Sequence, residues 1–217
     1  MLDLSEVQLI TVRGGGAPIE QFAAALRYSM KSIHFGLVTL VSNERPKSLE
    51  GIEFREIEAM GLDGYNRFML SKLEDYQKLP FLLVIQADSF VVHPEEWKAE
   101  FLEYDYIGAP WPAPEGQPCM QGNGGFSLRS RKLNRAAAVL AGLHQNSENE
   151  DAYICNTHRS KFEGLGCKFA PPELAAKFSI EFKTWHHDGS PTFGFHNFYN
   201  DQTAPYRALL NFEMNNV

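Results

Sequence analysis

Asp88, Glu150, Asp151 and His196 are the residues of this 217-residue sequence whose types and surroundings suit chemistry. Asp88 falls within FLLVIQADSF (Phe81 to Phe90), where an apolar run ends on the polar cluster Gln86, Asp88 and Ser89. A carboxylate leaving a buried strand is placed to hold Mg²⁺ or Mn²⁺, which prefer oxygen ligands and keep positions open for phosphates. The same acid would equally cap the turn before His93-Pro94. Gln86 is neutral, so a further ligand has to come from elsewhere. His196, in Phe193-Gly194-Phe195-His196-Asn197, offers an imidazole that would complete such a site, although a lone histidine among aromatics is also an ordinary core residue. His186-His187-Asp188 is another cluster of ligand types. Adjacent side chains point apart on a strand, so the pair alone is weak support for zinc.

Glu150-Asp151 is a paired acid between a polar loop and an apparent helix. One carboxylate of such a pair suits general-base work on a hydroxyl while the other orients substrate; the plain alternative is negative charge set against a helix dipole. In Gly122-Asn123-Gly124-Gly125, three glycines and an asparagine permit positive φ and close approach of backbone to a ligand, which a hairpin turn would need as well. No GKS or GKT follows, so this is not a phosphate-cradling P-loop, and Gly14-Gly15-Gly16 lacks the GxGxxG spacing of dinucleotide-binding dehydrogenases. Tyr65-Asn66-Arg67 opens a helix after Gly64, where a diphosphate would be attracted and Arg67 would reach it; a surface arginine fits the same pattern. Trp111, between two prolines, either stacks on a sugar ring or fills the rim of the core.

The frame for these residues follows from periodicity. Val7 to Val12 (VQLITV) patterns as a strand that Arg13-Gly14-Gly15-Gly16 breaks. Pro18 suits the first turn of a helix over about Ile19 to Ile33, in which Phe22, Leu26, Met30 and Ile33 recur at helical spacing. Strands are expected at Gly36 to Val41, Ile52 to Ile57 and Phe81 to Gln86, with a helix over Tyr65 to Tyr76 before the last. Strands alternating with helices build βαβ units and an α/β sheet, whose ligands collect at the carboxyl ends of the strands. Asp88 lies at such an end.

Beyond it, a short helix is expected at Trp97 to Tyr104, and the three prolines of Tyr106 to Pro114 forbid regular helix. The glycine-rich turn enters a strand over Gln121 to Arg129, and Ser130 caps a helix from Arg131 to Leu143. His144 to Asn149 patterns as a loop, Asp151 to His158 as helix, and Lys168-Phe169-Ala170 as a short strand. No repeat, linker or low-complexity segment stands out.

Twenty Lys and Arg against 27 Asp and Glu give a formal charge of −7, which argues against broad binding to nucleic acid or anionic lipid. Cys119, Cys155 and Cys167 form no CxxC pair and leave one thiol over under full oxidation, so free thiols in a reducing, cytoplasmic setting are expected. The opening MLDLSEVQL has no basic n-region, and no window approaches the roughly 20 apolar residues of a membrane span.

Taken in order, YNRFML, IQADSFVVHPEEW, EYDYIGAPW, GNGGFSLRSRK, EDAYIC, KFAPPELAAKFSIE and FGFH resemble a family long known as a domain of unknown function. Its members look like GT-A-fold glycosyltransferases, several of them from bacterial and viral polysaccharide gene clusters. The resemblance runs from about Arg13 to Asn197, and several motifs in one order are more specific than any one alone. It implies one GT-A-like domain over residues 1–217, a Rossmann-like central mixed, mostly parallel sheet flanked by helices. The nucleotide-binding part would span about 1–112 and the acceptor and catalytic part about 113–217. The chain is short for such an enzyme, which fits a compact acceptor site or a domain of a larger protein.

The implied activity is that of a hexosyl- or deoxyhexosyltransferase, moving sugar from a UDP- or dTDP-linked donor to a glycan hydroxyl in polysaccharide or surface-glycan synthesis with Mn²⁺ or Mg²⁺. Gln86-Ala87-Asp88 is similar to the family's Asp-x-Asp metal motif with only the second acid kept, and His196 resembles the late histidine that completes the metal shell. Asp151 is similar to the catalytic base, with Glu150 beside it. Gly122, Asn123, Gly124 and Gly125 resemble the loop lining the sugars. Val12, Arg13 and Ser42 fall where strand ends meet the nucleotide, with Asn66 and Arg67 on the diphosphate side and Trp111 on the sugar side. Two rivals stand beside this. A nucleotidyltransferase usually wants more acids in its metal shell and a basic clamp on triphosphate; a non-catalytic glycan- or nucleotide-sugar-binding module would tolerate the reduced Gln86-Ala87-Asp88.

Overall fold

A computed structural model describes residues 1–114, 117, 120–143 and 148–215. The first half runs β1 (Leu2–Val12), α1 (Ile19–Met30), β2 (Ile33–Ser42), β3 (Glu53–Glu56), α2 (Leu62–Ser71), α3 (Leu73–Tyr76), β4 (Phe81–Ile85) and β5 (Ser89–Val91). The second runs β6 (Tyr106–Gly108), β7 (Phe126–Ser130), α4 (Arg131–Leu143), α5 (Glu150–Ala152), α6 (Arg159–Gly164), α7 (Pro172–Phe178), β8 (Ser179–Ile180), β9 (Gly194–His196) and α8 (Tyr206–Asn215). Six strands form the main sheet in the order β3-β2-β1-β4-β7-β6. β1 pairs in parallel with β2 and β4, β2 in parallel with β3, and β7 runs antiparallel to both β4 and β6. The result is a mixed, mostly parallel α/β sheet flanked by helices, as the alternation of patterns implies.

β1 and β4 lie at the centre with both faces covered, which explains the unbroken apolar run of β4 and the burial of β1 from Val7 to Val12, Gln8 and Thr11 included. Successive side chains point to opposite faces, so Leu9 joins the cluster packed by Phe22 and Leu26 of α1, while Ile10 joins the one packed by Tyr65 and Met69 of α2. Burying a side chain such as Phe22 contributes about 1.5–3 kcal/mol. α1 starts after Pro18, carries Glu20 in its first turn and Arg27 in its last, and so has both its entry and its dipole supported by sequence. A small second sheet, β5-β9-β8, stands beyond the carboxyl end of β4. In it β5 and β9 are antiparallel, with Ser89 opposite His196.

Several boundaries differ from the expectations. α1 ends at Met30, and Ile33 begins β2 instead of closing the helix; β-branched Ile33 keeps helical spacing by coincidence, since spacing alone does not show where a chain leaves its helix. α2 starts at Leu62, before Tyr65, and breaks at Lys72. Trp97 to Tyr104 holds a 3₁₀ segment at Ala99–Glu103 in place of an α-helix. Lys168 to Ala170 makes an isolated bridge, Phe169 to Tyr106, and no longer strand. Ser130 does cap α4: its Oγ accepts from Leu133 N at 3.1 Å. Cys155 and Cys167 are free and buried, whereas Cys119 and residues 144–147 of the expected loop lie outside the described residues. Among the described residues no helix is long and apolar enough to cross a membrane.

Candidate functional site

Two pockets adjoin at the carboxyl ends of β1 and β4 and share Leu62, Tyr65 and Gln86 as a common wall. The first, of about 560 Å³, is lined by Val12, the Gly14–Gly16 turn, Gln21 and Phe22 of α1, Ala87, Asp88 and Tyr199, together with that wall. Among the described residues no lysine, arginine or histidine lines it, and Asp88 is the one charged residue that does. The second, of about 620 Å³, takes Asn66, Trp111, Asn123, Gly125, Glu150, Asp151, Glu181, Phe182 and His196. Among the described residues its lining too has no lysine or arginine and carries three acids.

His196 stands where the two pockets meet. Its Nε2 lies 3.2 Å from Gln86 Oε1 and 3.5 Å from Asp88 Oδ1, and its Nδ1 lies 3.1 Å from Glu181 Oε1. The pairing of β5 with β9 brings these residues together, and Asn197 N donates to Asp88 O at 3.0 Å to fix the loop. Gln86 Nε2 donates to Tyr65 Oη at 2.9 Å, which turns its Oε1 toward the histidine. Gly125 is required here because a Cβ would come within 2.3 Å of His196 Nε2. Burial by itself would lower the pKa of His196, but its bonds to Asp88 and Glu181 and their charges outweigh that and push it up to about 9.

A divalent cation fits these donors. His196 Nε2 stands 3.2 Å from Gln86 Oε1 and 3.5 Å from Asp88 Oδ1, close to the roughly 3 Å between neighbouring ligands of a cation bound at about 2.1 Å. Among the described residues no group of three or more His, Cys, Asp and Glu side chains is gathered for a metal, so such a site would rest on one carboxylate, one imidazole and an amide oxygen, leaving places for phosphate oxygens.

The paired acids separate in role. Glu150 is buried, and its Oε1 accepts from Arg129 Nη2 at 2.8 Å, with the arginine fully buried and its guanidinium 5.5 Å from the Tyr106 ring. Burial raises the Glu150 pKa, against which the Arg129 charge pulls. Asp151 instead faces the second pocket, with Oδ2 accepting from Gly124 N at 3.0 Å and Oδ1 from Ala152 N at 2.7 Å. Gly124 must lack a side chain, since a Cβ would meet Glu150 Oε1 at 2.1 Å. Asn66 Oδ1 accepts from Glu150 N at 3.3 Å, tying α2 to α5.

The remaining residues fall in two groups. Val12, Ala87, Trp111 and Asn123 line one pocket or the other, and Gly122 packs under the Trp111 ring. Arg13, Ser42 and Arg67 line neither. Arg13 pairs with Glu44 at 3.0 Å and Asn43 at 3.1 Å, Ser42 Oγ accepts from Glu44 N at 3.0 Å, and Arg67 is on the exposed side of α2. His187 is held by Thr184 and Ser179, and His186 by Glu173, away from both pockets. Leu62 and Tyr199 line the pockets without any sequence motif to announce them, and Glu181 does so at the end of the KFAPPELAAKFSIE motif, which gives it no site role.

The fold is GT-A-like, that of a class of glycosyltransferases. Over 97% of the chain it is similar, at 12% identity and a TM-score of 0.52, to a glycosyltransferase involved in the glycosylation of the major capsid of PBCV-1, covering 99% of that chain. Over 96% it is similar, at 13% identity and a TM-score of 0.56, to the apo-form glycosyltransferase GlyE of Streptococcus pneumoniae TIGR4, covering 62% of that chain. A sequence profile matches residues 50–196, and the chain belongs to its family, described as a protein of unknown function, DUF5672. No curated protein matches.

Proposed function

We propose that this protein is a metal-assisted glycosyltransferase that moves a hexosyl or deoxyhexosyl group from a UDP- or dTDP-linked donor to a glycan hydroxyl during polysaccharide or surface-glycan synthesis. The observation that carries this is the pair of adjoining pockets, with Asp88 in one, Asp151 in the other and His196 at the junction. Among the described residues no basic side chain lines the first pocket, which speaks for a cation, since the charge that a diphosphate would meet from those residues is the negative Asp88. It also speaks against a nucleotidyltransferase, which needs a basic clamp. The free thiols of Cys155 and Cys167 are in keeping with a cytoplasmic setting.

Asp88, His196 and Gln86 would hold Mn²⁺ or Mg²⁺, which when bound supplies Lewis-acid stabilisation of the charge on the departing nucleoside diphosphate. Asp151 takes the proton from the acceptor hydroxyl. The bonds from Gly124 N and Ala152 N fix its carboxylate while leaving lone pairs free for that proton. Glu150, tied to Arg129, holds α5 against β7 and so sets where Asp151 stands. Trp111 and Phe182 give the second pocket apolar faces on which a sugar ring stacks.

Incubation with a panel of nucleotide sugars and Mn²⁺, reading nucleoside diphosphate release, tests this. Turnover of at least one donor that falls to background in Asp88→Ala is expected. Glycan or nucleotide binding with no turnover of any donor would make the protein a binding module instead.

A further inference from the structure

Glu181 closes the KFAPPELAAKFSIE motif with no role that its sequence assigns, yet it faces the back of the His196 ring. Its Oε1 lies 3.1 Å from His196 Nδ1, and its Oε2 accepts from Asn123 Nδ2 at 2.8 Å. Two groups thus converge on one carboxylate, which brings Asn123 Nδ2 to 2.7 Å from His196 Nδ1. Asn123 is not free to turn over, because its Oδ1 accepts from Phe126 N at 3.1 Å.

An amide NH₂ only donates, so Asn123 and Glu181 make opposite demands on Nδ1: the amide favours a bare nitrogen and the carboxylate an N–H. The carboxylate prevails. A hydrogen bond to an ionised acceptor is roughly twice as strong as a neutral one, and the Asn123 amide already has Glu181 Oε2 as its acceptor. Nδ1 therefore carries a proton. Nε2, on the side of Asp88 and Gln86, is the nitrogen available to a cation.

We propose that Glu181 is a positioning residue that holds the Nδ1 proton of His196 and so presents Nε2 to the cation shared with Asp88. This rests on the cation site proposed above. Glu181 touches the far nitrogen and is not itself a ligand. Carboxylates in this position commonly orient metal-binding histidines, and their loss costs about 10- to 100-fold in metal affinity.

Mn²⁺ alone, titrated into the full chain, is the probe, with wild type, Glu181→Gln and Glu181→Leu compared by calorimetry. Glu181→Leu is expected to weaken Mn²⁺ binding about 10- to 100-fold, and Glu181→Gln, whose amide oxygen still accepts from Nδ1, to lose less. Independently of metal, ¹⁵N-resolved NMR of the wild type is expected to show a downfield, exchange-protected Nδ1–H of His196. That proton is expected to vanish in Glu181→Leu and to move upfield in Glu181→Gln. Equal Mn²⁺ affinity in wild type and Glu181→Leu overturns the proposal, and so does a bare Nδ1 in the wild type. If Glu181→Leu does not fold, an unmoved Nδ1–H in Glu181→Gln overturns it. A wild type that binds no Mn²⁺ removes the cation site itself and this role with it, whereas Mn²⁺ binding indifferent to Glu181 removes only the role.

Discussion

Asp88 and His196 meet because Ser89 pairs with His196 across two antiparallel strands, which sets the ring Nε2 3.5 Å from Asp88 Oδ1. The contact joins the end of the central β4 to a segment far along the chain. Gly125 allows the ring to lie there. Gly125→Ala is expected to displace His196 and to weaken Mn²⁺ binding by about tenfold or more, as measured by calorimetry, with the thermal melt showing the protein still folded.

Asp151 and Glu150 are expected to respond differently to removal of charge. Asp151→Asn should leave donor binding nearly unchanged and cut transfer by on the order of 10²-fold or more, the scale of lost general-base help. Steady-state rates beside donor titrations check this; equal loss of affinity and rate would contradict a base.

Arg129→Met should leave Glu150 buried without its partner. A destabilisation of about 3–5 kcal/mol is expected in denaturant unfolding, with most of it recovered in the double variant Arg129→Met, Glu150→Leu. A small effect of the single change would mean that the pair does not hold α5.

In the metal-free protein, His196 contributes stability through its contacts with Asp88 and Glu181. Its pKa is raised in the folded state to about 9, so that contribution is complete below the ordinary histidine value of about 6.5 and is lost as pH rises through about 9. Wild type should therefore lose melting temperature between those values more steeply than His196→Gln. Parallel profiles would contradict the contacts.

Much of the fold is legible in the sequence because burial on both faces leaves an apolar run, unbroken in β4 and mostly apolar over Val7 to Val12 of β1. The carboxyl end of β4 could therefore be located, and Gln86, Ala87 and Asp88 do line a pocket. Strand position does not reveal where a side chain points: Arg13 turns to Glu44, and Ser42 turns back to its own loop. Glu181 was hidden for another reason. It ends the KFAPPELAAKFSIE motif, just after a two-residue strand, but nothing there marks a site role, because its partners Asn123 and His196 are joined to it only by the folding of distant segments. Helical spacing carried α1 past Met30 because Ile33 repeats the apolar interval while already in β2.

Titration of UDP and dTDP into the protein, in Mn²⁺ and then in chelator, tests the cation at Asp88 and His196 most directly. At least one nucleotide is expected to bind about tenfold or more tightly with Mn²⁺, ~1.4 kcal/mol, with the gain absent in Asp88→Ala. The same affinity in chelator as in Mn²⁺ would contradict it.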